Sequence, residues 1–198
     1  MISGLILAAG LSRRMGRPKQ EILFLGRPML DYAVGSFLAS KVGEVVVVLR
    51  PGADWHCPAG ARVVLNPRPS AGMSSSLRVG LRNLDERTEG VLVGLGDKPA
   101  LLTPTIDALI QARRESKADV VVPTFRGVRG NPVFFDKALF PRLLRLRGDQ
   151  GARELVRKNI ASARELAVDD PGVLLDVNVE ADVRRMRPLL ARLHSEGG

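Results

Sequence analysis

The chain has little cysteine and few aromatic residues. Cys57 is the single cysteine among 198 residues, so no disulfide can form within the chain and a reducing compartment is permitted. His56 stands beside it, but a zinc site needs more cysteine or histidine ligands than this neighbourhood offers. Aromatic residues make up 4% of the sequence, which leaves few rings on which the bases of a single-stranded nucleic acid could stack. We therefore expect no nucleic-acid partner.

Two common phosphate-binding motifs are absent, and so is a long apolar run. Neither Gly-x4-Gly-Lys-Ser/Thr nor Gly-x-Gly-x-x-Gly occurs, so the chain has neither a Walker loop nor a dinucleotide-binding fingerprint. The apolar residues at the start of the chain are too few to cross a bilayer and follow no charged leader. We expect a cytoplasmic protein without a membrane partner.

Positive charge and apolar residues are plentiful. A formal net charge of +9 and a pI near 10.7 indicate anionic partners such as nucleotides, although part of the basic excess is spread along predicted helices and is explained by a solvated face. With 45% apolar residues, the chain can bury one sizeable core. We therefore expect one domain over residues 1–198.

The first loop is the strongest candidate for binding an anion. A buried strand predicted over 2–9 runs into Ala8, Ala9 and Gly10, whose small side chains let backbone N–H groups approach a phosphate closely. The loop then carries four cations: Arg13, Arg14, Arg17 and Lys19. This composition predicts a phosphate site, and the alternative is a strand that ends in a solvated basic turn.

Apolar runs rich in β-branched residues alternate with segments of helical periodicity. Strands are predicted at 2–9, 44–49, 62–65, 90–95 and 119–122, and helices at 28–38, 72–81, 103–112 and 180–194. Paired glycines predict a hairpin over 125–135, and residues 174–178 are predicted to end the last strand. Residues 143–158 are predicted to be helical on both sides of a loop at 148–153. The alternation predicts an α/β protein with a mostly parallel sheet and helices on both faces.

Asp97 stands at the end of a predicted strand, in a glycine turn. A carboxylate at the carboxyl end of a parallel strand faces the crevice where such sheets bind ligands. Mg²⁺ prefers one or two carboxylates together with phosphate oxygens, so one aspartate over a nucleotide is sufficient. Asp97 is therefore our principal metal ligand, and a turn-capping role is the alternative.

Three serines stand at the predicted start of the helix that follows Asn66. Ser74, Ser75 and Ser76 can cap this helix, and they can also present hydroxyl and N–H groups to an anion or a base. The spacing alone favours neither interpretation.

The first loop carries Leu7-Ala8-Ala9-Gly10, Ser12, Arg14-Met15-Gly16 and Pro18-Lys19. With these residues it resembles the nucleotide-binding loop of the MobA-like nucleotidyltransferases, in particular the molybdenum cofactor cytidylyltransferases. Later matches are Asn66-Pro67, Gly72 with Ser74 to Arg78, Gly127 with Gly130-Asn131-Pro132-Val133, and Gly148-Asp149 with Gly151-Ala152-Arg153. The resemblance covers nearly the whole chain. It implies a Rossmann-like three-layer nucleotidyltransferase fold, with a nucleotide-binding part at 1–123 and an acceptor-side part with a hairpin and a closing strand and helix at 124–198.

The resemblance also implies roles for individual residues. The implied nucleotide site consists of Leu7, Ala8, Ala9, Gly10, Ser12, Arg14, Lys19, Asn66, Gly72, Ser74, Ser75 and Arg78. The implied acceptor site consists of Lys98, Pro99, Gly130, Asn131, Pro132, Asp149 and Arg153. Lys19, Arg14 and Asp97 are the implied catalytic residues, and Asp97 and Asn178 the implied metal ligands.

Two positions depart from the family pattern. Lys98 stands where glutamine is typical, and Asn178 stands where the family usually has the second aspartate of Asp-Ile-Asp. An amide oxygen can ligate Mg²⁺ but brings no charge, and Asp176 nearby can compensate in part.

By resemblance, the reaction is the transfer of CMP from CTP to the terminal phosphate of molybdenum-molybdopterin, with Mg²⁺ or Mn²⁺ as cofactor and pyrophosphate as leaving group. The expected macromolecular partner is a molybdoenzyme or an insertion chaperone. Ala9 favours CTP, because guanylyl-transferring relatives tend to place a second glycine there. Three alternatives stay open: another NTP or phosphorylated acceptor, an NAD(P)H-dependent oxidoreductase of the same family, and a non-catalytic cofactor-binding protein or chaperone.

Overall fold

The computed structural model describes residues 1–11, 15, 19, 22–149, 156 and 163–195. Its main sheet contains β1 (Ile2–Leu7), β4 (Glu44–Leu49), β5 (Ala61–Leu65), β6 (Gly90–Leu95), β7 (Val120–Phe125), β8 (Val128–Arg129), β9 (Val133–Asp136) and β10 (Arg164–Ala167). A separate two-stranded ribbon is formed by β2 (Leu23–Phe24) and β3 (Arg27–Pro28).

The strand order of the main sheet is β10-β7-β9-β6-β1-β4-β5, and β8 pairs with β7. The central strands β6, β1, β4 and β5 are parallel, and so is the pair of β10 and β7. Strand β9 is antiparallel to both of its neighbours, and β8 is antiparallel to β7. The loops that follow β1, β4 and β6 therefore leave the sheet at one edge.

The helices are α1 (Met29–Leu38), α2 (Met73–Leu81), α3 (Thr103–Ser116), α4 (Phe140–Leu143) and α5 (Glu180–Ser195), with 3-10 turns at Pro69–Ala71, Lys137–Leu139 and Pro171–Val173. Alternate residues of β1 face opposite cores, because successive side chains of a strand point to opposite sides. Leu5 packs in the cluster that contains Leu77 of α2, whereas Ile6 packs with Val34 of α1 and Leu109 of α3. Helices thus cover both faces of the sheet.

The predicted fold class is confirmed: the protein is an α/β fold with a mostly parallel sheet and helices on both faces. The predicted hairpin is present as β7 and β8, joined through Arg126 and Gly127, which both have positive φ. Helix α3 extends four residues past its predicted end at Ala112, and β1 ends at Leu7 instead of Ala9. Among the described residues, no helix is long and apolar enough to cross a membrane.

Two sequence predictions about the second half are wrong. Residues 174–178 do not end a strand; the last strand that the structure describes is β10, and this segment follows the Pro171–Val173 turn as a loop. Its apolar residues mimic a strand, but the N–H of Val177 donates to the carbonyl of Asp97, in a loop, at 2.9 Å. The predicted helix before the loop at 148–153 is also absent, because α4 ends at Leu143 and residues 144–147 are not helical. Of the predicted helix after that loop, Val156 is described and is helical, and residues 150–155 and 157–162 lie outside the described part.

Candidate functional site

The loops after β1 and β6 emerge side by side. Leu7 and Leu95 are register partners at the ends of these parallel strands, and the N–H of Gly96 donates to the carbonyl of Leu7 at 3.0 Å. A Cβ at Gly96 would lie 2.8 Å from the Cβ of Ala8, so the close approach of the two loops requires glycine there. The first loop and Asp97 therefore border the same crevice.

A lysine, an aspartate and an asparagine meet in this crevice. The ammonium of Lys19 donates to Oδ2 of Asp97 at 3.3 Å and to Oδ1 of Asn178 at 2.7 Å. Asp97 is 78 positions and Asn178 is 159 positions from Lys19 in the sequence, so the fold brings them together. The side chain of Lys19 is 13% exposed and that of Asp97 is 25% exposed, so the cluster is accessible to a ligand but shielded from bulk water.

Packing of apolar neighbours explains why Lys19 and Asn178 meet. The N–H of Ile22 donates to the carbonyl of Lys19, and Ile22 is buried in one cluster with Phe24 and Val177. Val177 is fully buried, and its N–H is bonded to Asp97. The segment before α5 is thereby fixed against both loops, with Asn178 next to them.

Asp182, in the first turn of α5, holds the same segment from the other side. Its Oδ2 accepts from the N–H groups of Asn178 at 2.8 Å and Val179 at 3.0 Å, as expected of an acidic side chain at a helix start. These backbone hydrogen bonds, Asn178 first, lower the pKa of Asp182, because they stabilise its charged form.

The orientation of the Asn178 amide follows from its two partners. Lys19 has only donors, so the amide oxygen faces it, and the amide nitrogen donates to Oδ2 of Asp176, which has only acceptors when ionised. Asp176 therefore positions Asn178 with its oxygen toward Asp97 and Lys19.

Asp97 has unused capacity to bind a cation. Its Oδ1 is buried and accepts no hydrogen bond from any residue that the structure describes. Burial raises the pKa of Asp97, the Lys19 ammonium lowers it, and the nearby Asp176 carboxylate raises it further. A buried carboxylate oxygen without a partner is costly, and a cation would satisfy it.

The donor set fits a hard divalent ion. Asp97 and Asn178 supply oxygens, and Asp176 adds negative charge beside them, which is the chemistry Mg²⁺ and Mn²⁺ prefer. Within the described ranges, no group of three or more His, Cys, Asp or Glu side chains forms a metal cluster, so further ligands would come from substrate or water.

The residues around α2 are largely bonded to one another. The amide nitrogen of Asn66 donates to the hydroxyls of Ser75 at 2.8 Å and Ser76 at 3.0 Å, and all three residues are buried. The Ser75 hydroxyl also contacts the carbonyl of Gly72 at 2.8 Å. These contacts stabilise the start of the helix. Ser74 differs, because its hydroxyl is buried and has no partner in the described part of the chain.

The start of α2 also packs against the loop at 146–149. The carbonyl of Gly148 accepts from the N–H of Ser74 at 3.1 Å, and Oδ1 of Asp149 lies 3.3 Å from the N–H of Met73. Gly72 has φ of +86°, and a Cβ there would lie 2.4 Å from Gly148. Arg78 donates to the carbonyl of Leu146. Asp149 thus lies beside α2 and bonds to its first N–H group.

The remaining predicted acceptor residues lie in two places. Lys98 is 4% exposed and follows Asp97 directly, and Pro99 is buried beside it. Gly130 approaches Val173 so closely that a Cβ would lie 2.5 Å from the Val173 carbonyl, which accepts from the N–H of Asn131 at 2.9 Å. The Asn131-Pro132 peptide is cis. Gly130 and Asn131 therefore support the turn that leads to Asp176.

Three predicted site residues lie outside the described part of the chain: Ser12, Arg14 and Arg153. Of the others in the first loop, Leu7, Ala8 and Ala9 are buried and Gly10 is exposed.

Sequence reasoning missed Asp170, which is 1% exposed. Its Oδ2 accepts from the N–H of Leu102 at 3.0 Å and the hydroxyl of Thr105 at 2.7 Å, and its Oδ1 accepts from the N–H of Gly172 at 2.7 Å. Through these hydrogen bonds, Asp170 connects the Pro171–Val173 turn to the start of α3. The run Asp-Pro-Gly at 170–172 is a turn signal, but nothing local identifies the distant partners.

Comparison with known proteins gives consistent matches. The family model described as "MobA-like NTP transferase domain" matches residues 4–164 of this chain. The chain is 30% identical to the purine catabolism protein PucB of Bacillus subtilis over 93% of this chain and 95% of that one. It is 32% identical to nicotine blue oxidoreductase of Paenarthrobacter nicotinovorans, covering 79% and 82%. It is 28% identical to a probable molybdenum cofactor guanylyltransferase of Mycobacterium avium, covering 93% and 94%.

Solved structures agree with these matches. The crystal structure of Rv0371c from Mycobacterium tuberculosis superposes with a TM-score of 0.84 at 29% identity, covering 94% of this chain and 97% of that one. A structure of the same protein described as a complex with manganese has a TM-score of 0.80 at 30% identity, with the same coverage.

Proposed function

The chain belongs to the MobA-like NTP transferase family, and on that premise we propose that this nucleotidyltransferase moves CMP from CTP to the terminal phosphate of molybdenum-molybdopterin. The observation that carries the proposal is the convergence of Lys19, Asp97 and Asn178 in one crevice beside the first loop. A lysine and a pair of oxygen ligands at one place suit a triphosphate with a divalent ion.

The reaction asks the protein for positioning and charge neutralisation. An oxygen of the acceptor phosphate attacks the α-phosphorus of CTP in line, and the bond to the bridging oxygen breaks, with its electron pair leaving on pyrophosphate. Both reactants are anionic, so Lys19 and Arg14 lower the repulsion between them. Backbone N–H groups of the loop that starts at Ala8 to Gly10 bind the triphosphate and hold it for attack.

Asp97 and Asn178 are the residues that hold the divalent ion in this proposal, and Asp176 keeps the Asn178 oxygen directed toward it. When bound, the ion would neutralise part of the negative charge of the triphosphate. Oδ1 of Asp97, which has no hydrogen-bond partner in the described part of the chain, supports this assignment, and so does the structural neighbour described as a manganese complex. Asn178 brings no charge, so its contribution depends on the two aspartates.

The identities of the nucleotide and of the acceptor rest on separate observations. The guanylyltransferase relative supports a molybdenum cofactor as acceptor, while Ala9, buried two residues after the end of β1, is the feature that favours CTP. We assign acceptor binding to Lys98 and Pro99, which lie within residues 1–123, and to five residues within 124–198: Gly130, Asn131, Pro132, Asp149 and Arg153. A molybdoenzyme or an insertion chaperone would receive the product.

The test is pyrophosphate release from each of the four ribonucleotides with purified molybdenum cofactor and Mg²⁺. We expect release with CTP, dependent on both the acceptor and the metal. Release with GTP instead would contradict the nucleotide assignment, and release with another phosphorylated acceptor alone would contradict the pterin assignment. No turnover, with tight cofactor binding, would support the non-catalytic carrier.

A second candidate is an oxidoreductase, because one relative of 32% identity carries that name. Such an activity needs a nicotinamide cofactor, and the chain lacks Gly-x-Gly-x-x-Gly. Oxidation of NADPH by the purified protein with a pigment substrate would favour it over nucleotidyl transfer.

A further inference from the structure

The ammonium of Lys19 already contacts two of the three oxygens that Asp97 and Asn178 offer to the proposed metal. It lies 2.7 Å from Oδ1 of Asn178 and 3.3 Å from Oδ2 of Asp97. These are charge-assisted contacts in a mostly buried place, where the side chain of Lys19 is 13% exposed. A divalent ion bound to the same oxygens would occupy the space that this ammonium fills, and the two cations would repel each other.

We propose that Lys19 is a stand-in cation: without nucleotide its ammonium occupies the metal position, and a divalent ion binds there only when the ammonium leaves. This inference rests on the proposed metal site. Rotation about the side-chain bonds of Lys19 is sufficient for the exchange, because a lysine ammonium is carried on a flexible four-carbon chain.

The exchange would couple the two ligands. A triphosphate offers the Lys19 ammonium new acceptor oxygens, so it draws the ammonium away from Asp97 and Asn178 and opens the site to the metal. By linkage, the metal then favours triphosphate binding by the same factor. The enzyme would thereby hold few divalent ions when no nucleotide is present.

A competing arrangement assigns no role to Asn178. The ion binds Asp97 through Oδ1 alone, the oxygen that has no partner among the described residues, while Lys19 keeps Oδ2 as a permanent ion pair. In that case Asp97 binds Lys19 and the metal at the same time, and removing the lysine relieves their repulsion but makes no oxygen of Asn178 available to the ion.

Direct measurement of Mn²⁺ binding distinguishes the two. Free Mn²⁺ is quantified by electron paramagnetic resonance during titration of the full chain without nucleotide, for the wild type and for Lys19→Met, which keeps side-chain length and loses the charge. Lys41→Met is the matched control: it removes the same charge from an exposed residue between α1 and β4, at the edge of the sheet opposite Asp97. Circular dichroism melting checks that each variant is folded.

We expect Lys19→Met to bind Mn²⁺ at least about tenfold more tightly than the wild type, the fold-change that matches loss of one charge-assisted hydrogen bond competing with the ion. Lys41→Met should bind like the wild type. The gain must disappear when Asp97→Asn is added, because the tightened site then loses its carboxylate. It must also shrink when Asn178→Ala is added, because the exchange gives the ion the oxygen of Asn178; a gain that stays the same in Lys19→Met with Asn178→Ala would favour the competing arrangement and reject the exchange.

Two results would overturn the inference in distinguishable ways. Equal or weaker Mn²⁺ binding by Lys19→Met, with binding lost in Asp97→Asn, would reject the exchange and leave the metal site standing. Tight binding that persists in Lys19→Met with Asp97→Asn would reject the metal site at Asp97 and the exchange with it.

Discussion

Replacement of Asp170 by alanine is a test of the fold that does not depend on the proposed reaction. The buried carboxylate accepts hydrogen bonds from the N–H groups of Leu102 and Gly172 and from the hydroxyl of Thr105. In the variant the hydroxyl can turn to a backbone carbonyl of the preceding turn, so it contributes little. The two N–H groups lose their partner, and an unsatisfied buried donor costs about 1–3 kcal/mol. Two such donors give a range of about 2–6 kcal/mol, and because the bond from Leu102 is only partly buried we expect the lower part of it, a loss of about 2–4 kcal/mol in the free energy of unfolding.

Urea unfolding followed by circular dichroism measures this loss, with an unchanged m-value as the sign that only stability has changed. Asp169→Ala is the matched control, since Asp169 is an exposed aspartate next in sequence and its loss should change stability by less than about 0.5 kcal/mol. A loss below about 1 kcal/mol in Asp170→Ala would contradict the role of Asp170, because it would mean that water replaces a carboxylate that is buried in the structure.

Three further predictions concern the site itself. Lys19→Ala should lower turnover by about 10²- to 10³-fold, the usual loss for one preorganised charge donor, while the variant stays folded; normal turnover in steady-state assays would contradict the assignment. Asp97→Ala should lose activity and metal dependence together, so metal-stimulated turnover that survives would place the ligand elsewhere. Asn178→Asp should bind Mn²⁺ about three- to tenfold more tightly, because it adds a charged ligand. The same variant gives up the bond from its amide to Asp176 and should lose about 1–2 kcal/mol of stability without metal, and unchanged metal affinity in titrations would show that residue 178 is no ligand.

The sequence predicts best where local pattern and burial coincide. The run Val45–Val48 is covered on both faces, so its continuous β-branched residues identify a central strand directly. Asp97 could be placed for a related reason: it follows a strand of the same kind, and the carboxyl ends of parallel strands border the crevice. Both inferences need only the type of the element and its direction.

Prediction fails where a residue is held by distant partners. Residues 174–178 have the apolar alternation of a strand, yet Val177 pairs with the Asp97 loop, a contact between residues 80 positions apart in sequence numbering. The serines of α2 illustrate the same limit. Capping and ligand binding were equally open from spacing, and only the position of Asn66 shows that the hydroxyls of Ser75 and Ser76 are already bonded.

Asp97 and Asn178, the two candidate metal ligands, are held in place by different kinds of contact. Asp97 follows a strand whose place is fixed by ladder bonds to β1, whereas Asn178 lies in a loop whose place depends on side chains: Asp182 at the start of α5, Asp176, and buried Val177. Gly130 fixes the preceding turn through its close approach to Val173. One oxygen of the candidate metal site is therefore rigid by topology and the other is held by tertiary contacts. Substitutions that disturb the loop contacts should weaken metal binding without touching the ion, because a ligand that must be ordered at the moment of binding carries an entropy cost that a preorganised one does not.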